Sequence, residues 1–123
     1  LEISYIVRKI PLLNLLEIVG MVIYEVNIEV DREILDEYMA WLEVHMDEML
    51  AFPGFLSSRV FEDADNKGLN PQNGRVRRCC LYEVESRDHL DDYLARHAGA
   101  MRADGTNRFG GRFSASRRIL RKL

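Results

Sequence analysis

Apolar and polar residues alternate from residue 21 to residue 30. Val22, Tyr24, Val26, Ile28 and Val30 fall on one side and Ile23, Glu25, Asn27 and Glu29 on the other, the period-two signature of a half-buried strand whose first side is expected to face helices. After Asp31 the period lengthens. Leu35, Tyr38, Leu42, His45 and Met49 recur at helical spacing, with Ile34 and Trp41 widening the stripe, until Phe52-Pro53-Gly54 stops the helix near Leu50. Asp31 is the expected N-cap, and the acids after it suit the positive end of the helix dipole. Residues 55–62 and 75–85 read as two more strands. The polar, turn-rich residues 63–74 between them are expected to form a long, mobile hairpin loop. Ser86 is placed to cap a second helix, with the stripe Leu90, Tyr93, Leu94, His97 and Met101 and breaks at Gly105 and at Gly110-Gly111. Residues 112–123 form the expected last strand. Phe113, Ala115 and Ile119 share one side, and Arg117 and Arg121 interrupt the apolar alternation.

Two of these stretches repeat one pattern, aromatic-Leu-x-x-His-x-x-x-Met. Trp41, Leu42, His45 and Met49 correspond to Tyr93, Leu94, His97 and Met101, and each copy is followed by a Phe- and Gly-bearing break. A supersecondary unit used twice fits the element order β-α-β-β-α-β. Two split βαβ halves give an α+β, ferredoxin-like duplication, an antiparallel sheet with two helices on one face. The other face mixes Ile23, Leu56 and Val60 with Glu25, Asn27 and arginines. It is too apolar for water and too polar for a dry core. A homodimer joined through this sheet face is the expected cover.

The chain has 123 residues, room for one core and one domain. Residues 21–123 are expected to be that domain. Residues 1–20, apolar but interrupted by Asn14 and Glu17, are expected to be an extension upstream of a natural start at Met21; the alternative is an amphipathic arm that packs on a partner. The net charge of -3 argues against nucleic acid as a partner, and no stretch is long enough to span a membrane. Charge is unevenly placed. Residues 21–50 hold nine acids against Arg32, and residues 102–123 hold seven bases against Asp104, so the two ends are expected to meet within the fold or across a dimer. The adjacent cysteines, Cys79 and Cys80, should point to opposite faces of one strand and stay reduced, which suits a cytoplasmic protein.

Several motifs together resemble a bacterial family of unknown function. They are Met-Val-Ile-Tyr-Glu-Val-Asn at 21–27, Trp41-Leu42-x-x-His45, Phe52-Pro53-Gly54-Phe55, and the run from Tyr93-Leu94-x-x-His97-Ala98 through Arg102, Gly105, Arg108-Phe109 and Phe113 to Arg117-Arg118. That family is similar to the dimeric α+β-barrel superfamily, which includes cofactor-free antibiotic monooxygenases, haem-degrading enzymes and lactone isomerases. The resemblance implies a dimeric barrel. The haem-degrading relatives place an asparagine on the first strand, a tryptophan on the third and a histidine on the second helix; Asn27 and His97 match two of these roles, and the third strand here has no tryptophan.

The candidate catalytic residues are therefore His45, His97 and Asn27. Paired histidines suit acid and base work near neutral pH, whereas a lone buried histidine is ordinarily structural. Trp41 and Tyr93 are candidate ligand contacts, though matched repeat positions also suit packing. Arg59, Arg77, Arg78, Arg117 and Arg118 lie on expected strands. Pairing of some of them with Glu25, Glu29 or Glu83 across the sheet is expected, and the alternative is an arginine-lined cavity for a carboxylate or phosphate, with Arg59 and Arg78 as candidate ligand-binding residues. No spacing suggests a metal site, and no cofactor is expected, with haem held by the histidines as the alternative. The overall expectation is a dimer binding an unidentified small molecule, as a cofactor-free oxygenase or isomerase; the alternative is a non-enzymatic interaction module whose histidines are structural.

Overall fold

A computed structural model describes residues 20–123. The expectations for residues 1–20 lie outside this range, apart from Gly20. The alternating segment becomes β1 (Val22–Val30), followed by α1 (Leu35–Met49), β2 (Phe55–Phe61), β3 (Val76–Val84), α2 (Arg87–Arg96), α3 (Ala98–Phe109) and β4 (Phe113–Arg121). The strands form one sheet in the order β2-β3-β1-β4, every neighbouring pair antiparallel. This is the α+β ferredoxin-like arrangement that the duplication predicts.

The even-numbered side of β1 faces the helices. Val22, Tyr24, Ile28 and Val30 join Cys80, Tyr82 and Val84 of β3 in one core with Tyr38, Leu42, Met46 and Met49 of α1 and Leu90 and Tyr93 of α2. Burying each such side chain contributes roughly 1.5–3 kcal/mol, so this layer carries the fold. Cys79 and Cys80 point to opposite faces; Cys80 is buried in the core and Cys79 is half-buried. Among the described residues no helix is long and apolar enough to cross a membrane.

The opposed charges of the two ends meet within the sheet. Glu25 lies directly opposite Arg118 in the β1–β4 register, and Arg118 Nε donates to Glu25 Oε2 at 2.7 Å. Asp31 does not cap a helix as expected. A 3-10 turn, Arg32–Ile34, precedes α1, and the Asp31 carboxylate pairs instead with Arg75 at 2.9 Å and Arg112 at 3.5 Å. Two guanidinium groups outcompete the backbone N–H groups for it. Ser86 does cap as expected, accepting from the His89 N–H at 3.2 Å, a contact worth about 1 kcal/mol.

Residues 63–74 are tied down rather than loose. Asn70 and Asn73 donate to the two carboxylate oxygens of Glu29 at 2.8 and 2.9 Å, Asn70 is buried, and Leu69 bridges Val76. Their turn-forming asparagines are also the residues that anchor them to β1.

The second helix departs most from expectation. It is divided at His97, whose backbone (φ -126, ψ -27) ends α2 and begins α3. It also runs on past Gly105 to Phe109. Gly105 is not a breaker here, because it allows α3 to approach α1 closely: a Cβ at this position would stand 2.9 Å from Trp41 Cη2. Trp41 has little freedom to yield, since its Nε1 donates to Asp104 Oδ2 at 2.7 Å. Gly105→Ala is expected to lower stability by about 1 kcal/mol, the cost of overpacking exceeding the gain in helix propensity. Chemical denaturation checks the sign, and the loss should vanish when Trp41→Phe makes room.

Candidate functional site

Between the sheet and the helices lies a cavity of about 270 Å³. Its floor is Tyr24, Val26 and Ile28 of β1 with Cys80 and Tyr82 of β3, and its walls are Tyr38, Trp41 and His45 of α1, Tyr93 of α2 and Phe113 of β4. Arg102 of α3 and Arg117 of β4 complete it, both solvent-exposed and therefore at the mouth. Among the described residues no aspartate or glutamate lines it.

Of the residues singled out from the sequence, Trp41, His45 and Tyr93 are brought together here. The imidazole of His45 stacks on the Trp41 indole, with centroids 4.7 Å apart and planes at 20°. Burial pushes the His45 pKa below the ordinary 6.5, with the Arg117 charge acting the same way and Asp104 opposing. A neutral imidazole at pH 7 accepts a proton rather than holding one. The neighbouring acids are silent: burial pushes the Tyr93 hydroxyl and the Cys80 thiol up to about 12, and Tyr38 and Tyr82 well above their usual range. His45 is thus a cavity group able to accept a proton at pH 7.

The other candidates lie elsewhere. His97 does not line the cavity; its ring stacks on Phe52 at 4.7 Å, beside Tyr93. Asn27 points to the opposite face of the sheet, where its Nδ2 donates to Glu25 Oε2 at 2.7 Å. Strand alternation puts it there, because its neighbours Val26 and Ile28 face the cavity. Asn27 and His97 therefore cannot grip one group between them, and the pairing implied by the haem-degrading relatives does not assemble. Arg59 is paired with Glu83 on the outer face. Arg78 donates to the Arg77 carbonyl at 2.8 Å and lies 3.8 Å from Glu62. With Asn27 and Arg77 it borders a second hollow, of about 400 Å³. Among the described residues no group of three His, Cys, Asp or Glu side chains could hold a metal ion.

The expected ion pairing holds for Arg59 with Glu83, Arg77 with Glu29 and Arg118 with Glu25. Among the described residues Arg117 has no such partner. The sequence carried a signal for this: Arg117 shares its strand parity with Phe113, Ala115 and Ile119, the apolar side, so its charge had to face the helix layer. Arg102 was not among the ligand candidates. It reaches the cavity through α3, donating from Nη2 to Tyr24 Oη at 3.0 Å, a contact 78 residues apart in sequence.

The depressed pKa of His45 has a consequence for stability. The unfolded chain takes up a proton near pH 6.5 that the folded chain accepts only at lower pH, so stability is lost as pH falls from about 7 through the folded value and levels off below it. Melting temperature is expected to fall more steeply between pH 7 and 5.5 in the wild type than in His45→Gln. Equal slopes would show that the imidazole is not shielded from solvent.

Comparison with known proteins places this geometry. No curated protein matches the chain. Solved structures share the fold. Rv0793 from Mycobacterium tuberculosis superposes with a TM-score of 0.60 at 18% identity over 85% of this chain and 96% of that one. A Nitrosomonas europaea protein named after the antibiotic biosynthesis monooxygenases gives 0.61 at 13% over 85% and 91%. A mutant of SnoaB, a cofactor-independent oxygenase from Streptomyces nogalater, gives 0.60 at 11% over 82% and 92%. At these identities the likeness establishes an antibiotic-monooxygenase-like fold. A family model matches residues 21–123, nearly the whole described chain, and the protein belongs to that family, the domain of unknown function DUF4286.

Proposed function

We propose that the protein binds a small organic molecule in the cavity between sheet and helices and acts on it as a cofactor-free oxygenase or isomerase. The observation that carries this reading is the neutral, stacked His45 in an aromatic cavity. Such an imidazole removes a proton from an acidic C–H or O–H of the bound molecule. An isomerase returns that proton at another carbon. An oxygenase passes electrons of the substrate to O2, converting CH2 to C=O with one oxygen atom in the product and the other leaving as water. The fold shared with a cofactor-independent oxygenase supports the second course by analogy alone.

The working unit in this proposal is a homodimer joined through the outer face of the sheet. Ile23, Leu81 and Leu120 lie on that face half-buried. The charges among them are closed within the sheet, Glu25 with Arg118 and Glu83 with Arg59. A face of neutralised charge and apolar side chains suits a second copy. The free thiols suit a reducing, cytoplasmic setting.

His97 packed on Phe52 fits a structural role. Extending that role to His45 gives the rival reading, a non-enzymatic interaction module. Native mass spectrometry of freshly purified protein separates the two. The expected result is a dimer of twice 14.3 kDa carrying a stoichiometric small molecule, lost in a folded, dimeric His45→Ala. A His45→Ala variant that keeps the molecule and only melts earlier, by roughly 1–3 kcal/mol of stability, makes the histidine structural.

A further inference from the structure

The cavity has a charge character that the protein as a whole does not share. The chain carries a net charge of -3, yet among the described residues the cavity lining contains two arginines and no acid. Both depart from the habit of this fold, in which most arginines find carboxylates. Arg59, Arg75, Arg77, Arg78, Arg87, Arg96, Arg108, Arg112 and Arg118 each have an acidic partner within 4.0 Å. Among the described residues neither Arg102 nor Arg117 has one; Arg32 and Arg121 share that condition but do not line the cavity. Arg102 is held by the Tyr24 hydroxyl, which leaves the rest of its fork free. The two come from different elements, α3 and β4, and meet at β1: Arg117 lies opposite Val26 in the β1–β4 register, two positions along the same face from Tyr24, whose hydroxyl holds Arg102. Beneath them the walls are aromatic, Tyr38, Trp41, Tyr93 and Phe113.

We propose that the cavity takes an aromatic monocarboxylate, its carboxylate held at the mouth between Arg102 and Arg117 and its ring seated among Tyr38, Trp41 and Tyr93. This rests on the small-molecule reading above and names its ligand class. A guanidinium fork meets a carboxylate with parallel N–H···O bonds, and an acid-free lining leaves both forks available. Size sets the body of the ligand. At about 270 Å³ the cavity falls just below the range of drug-sized pockets, so it suits one or two rings. A phosphate dianion is less well served. Thr106 and Gly110 line the cavity from the C-terminal half of α3 and the residue just beyond it, where carbonyl groups give the helix dipole its negative end.

The test uses Trp41, the single tryptophan of the chain, as its reporter. Fluorescence and calorimetric titrations compare benzoate, phenylacetate, salicylate and trans-cinnamate with their methyl esters, and phenyl phosphate with all of them. The expected result is that at least one acid binds roughly tenfold or more tightly than its ester, and that Arg102→Gln and Arg117→Gln each erase most of this advantage while leaving ester binding and circular dichroism unchanged. Esters that bind as well as the acids overturn the carboxylate assignment and leave the cavity reading standing. Phenyl phosphate binding more tightly than every acid overturns it in favour of a phosphoryl ligand. Failure of acids and esters alike overturns the assignment together with the small-molecule reading beneath it.

Discussion

The approach of α3 to α1 at Gly105 is the constraint on which the rest of the site depends. The Trp41 ring occupies the space that a side chain at Gly105 would fill, and its Nε1 is fixed by Asp104, the residue before. One crossing therefore sets three things. It holds the indole on which His45 stacks, it brings an acid close enough to act on that imidazole, and it places Arg102, one turn back on α3, over Tyr24 of the central strand. A larger residue at 105 would open the crossing and move the wall and the mouth of the cavity together.

Electrostatics sorts the same strands into two functional faces. On the outer face acids and arginines neutralise one another: burial alone would push the Glu25 carboxyl up, but the hydrogen bonds from Arg118 and Asn27 hold it below the usual range. The Glu29 carboxyl is held down in the same way by Asn73 and Asn70. On the inner face no carboxylate among the described residues answers Arg102 or Arg117. The contrast arises from parity, since Arg117 and Arg118 are neighbours in sequence and a strand sends them to opposite sides. One meets a glutamate and the other a cavity.

Much of this architecture was legible in the sequence because it depends on local period. The alternation of residues 21–30 identified β1 and its buried side, and the repeat identified the two split halves. What local period could not convey was tertiary in origin. Gly105 reads as a breaker until Trp41 is known to lie against it. Asp31 reads as a cap until Arg75 and Arg112 arrive from distant segments to claim it. Asn70 and Asn73 read as loop residues until Glu29 accepts from both. The grouping of Asn27 with His97 drew on resemblance, and here strand parity, visible in the sequence itself, was the better guide: a residue between Val26 and Ile28 belongs to the other face. The tyrosine-rich interior of the cavity was only partly legible, since Tyr24, Tyr38 and Tyr82 fit a plain core as well as a binding wall.

The duplication explains both the symmetry of the fold and the asymmetry of the site. In the first half the helix is unbroken from Leu35 to Met49, so His45 occupies a regular position on its surface, one turn from Trp41, and is presented to the cavity. In the second half the equivalent histidine falls at the joint between α2 and α3. There its ring packs on Phe52 and its backbone serves both helices. The joint begins α3, which carries Gly105 against Trp41 of α1 and Arg102 over Tyr24. Divergence at one backbone position thus separates the two halves of a repeated βαβ unit, one histidine lining the cavity and the other packing on Phe52.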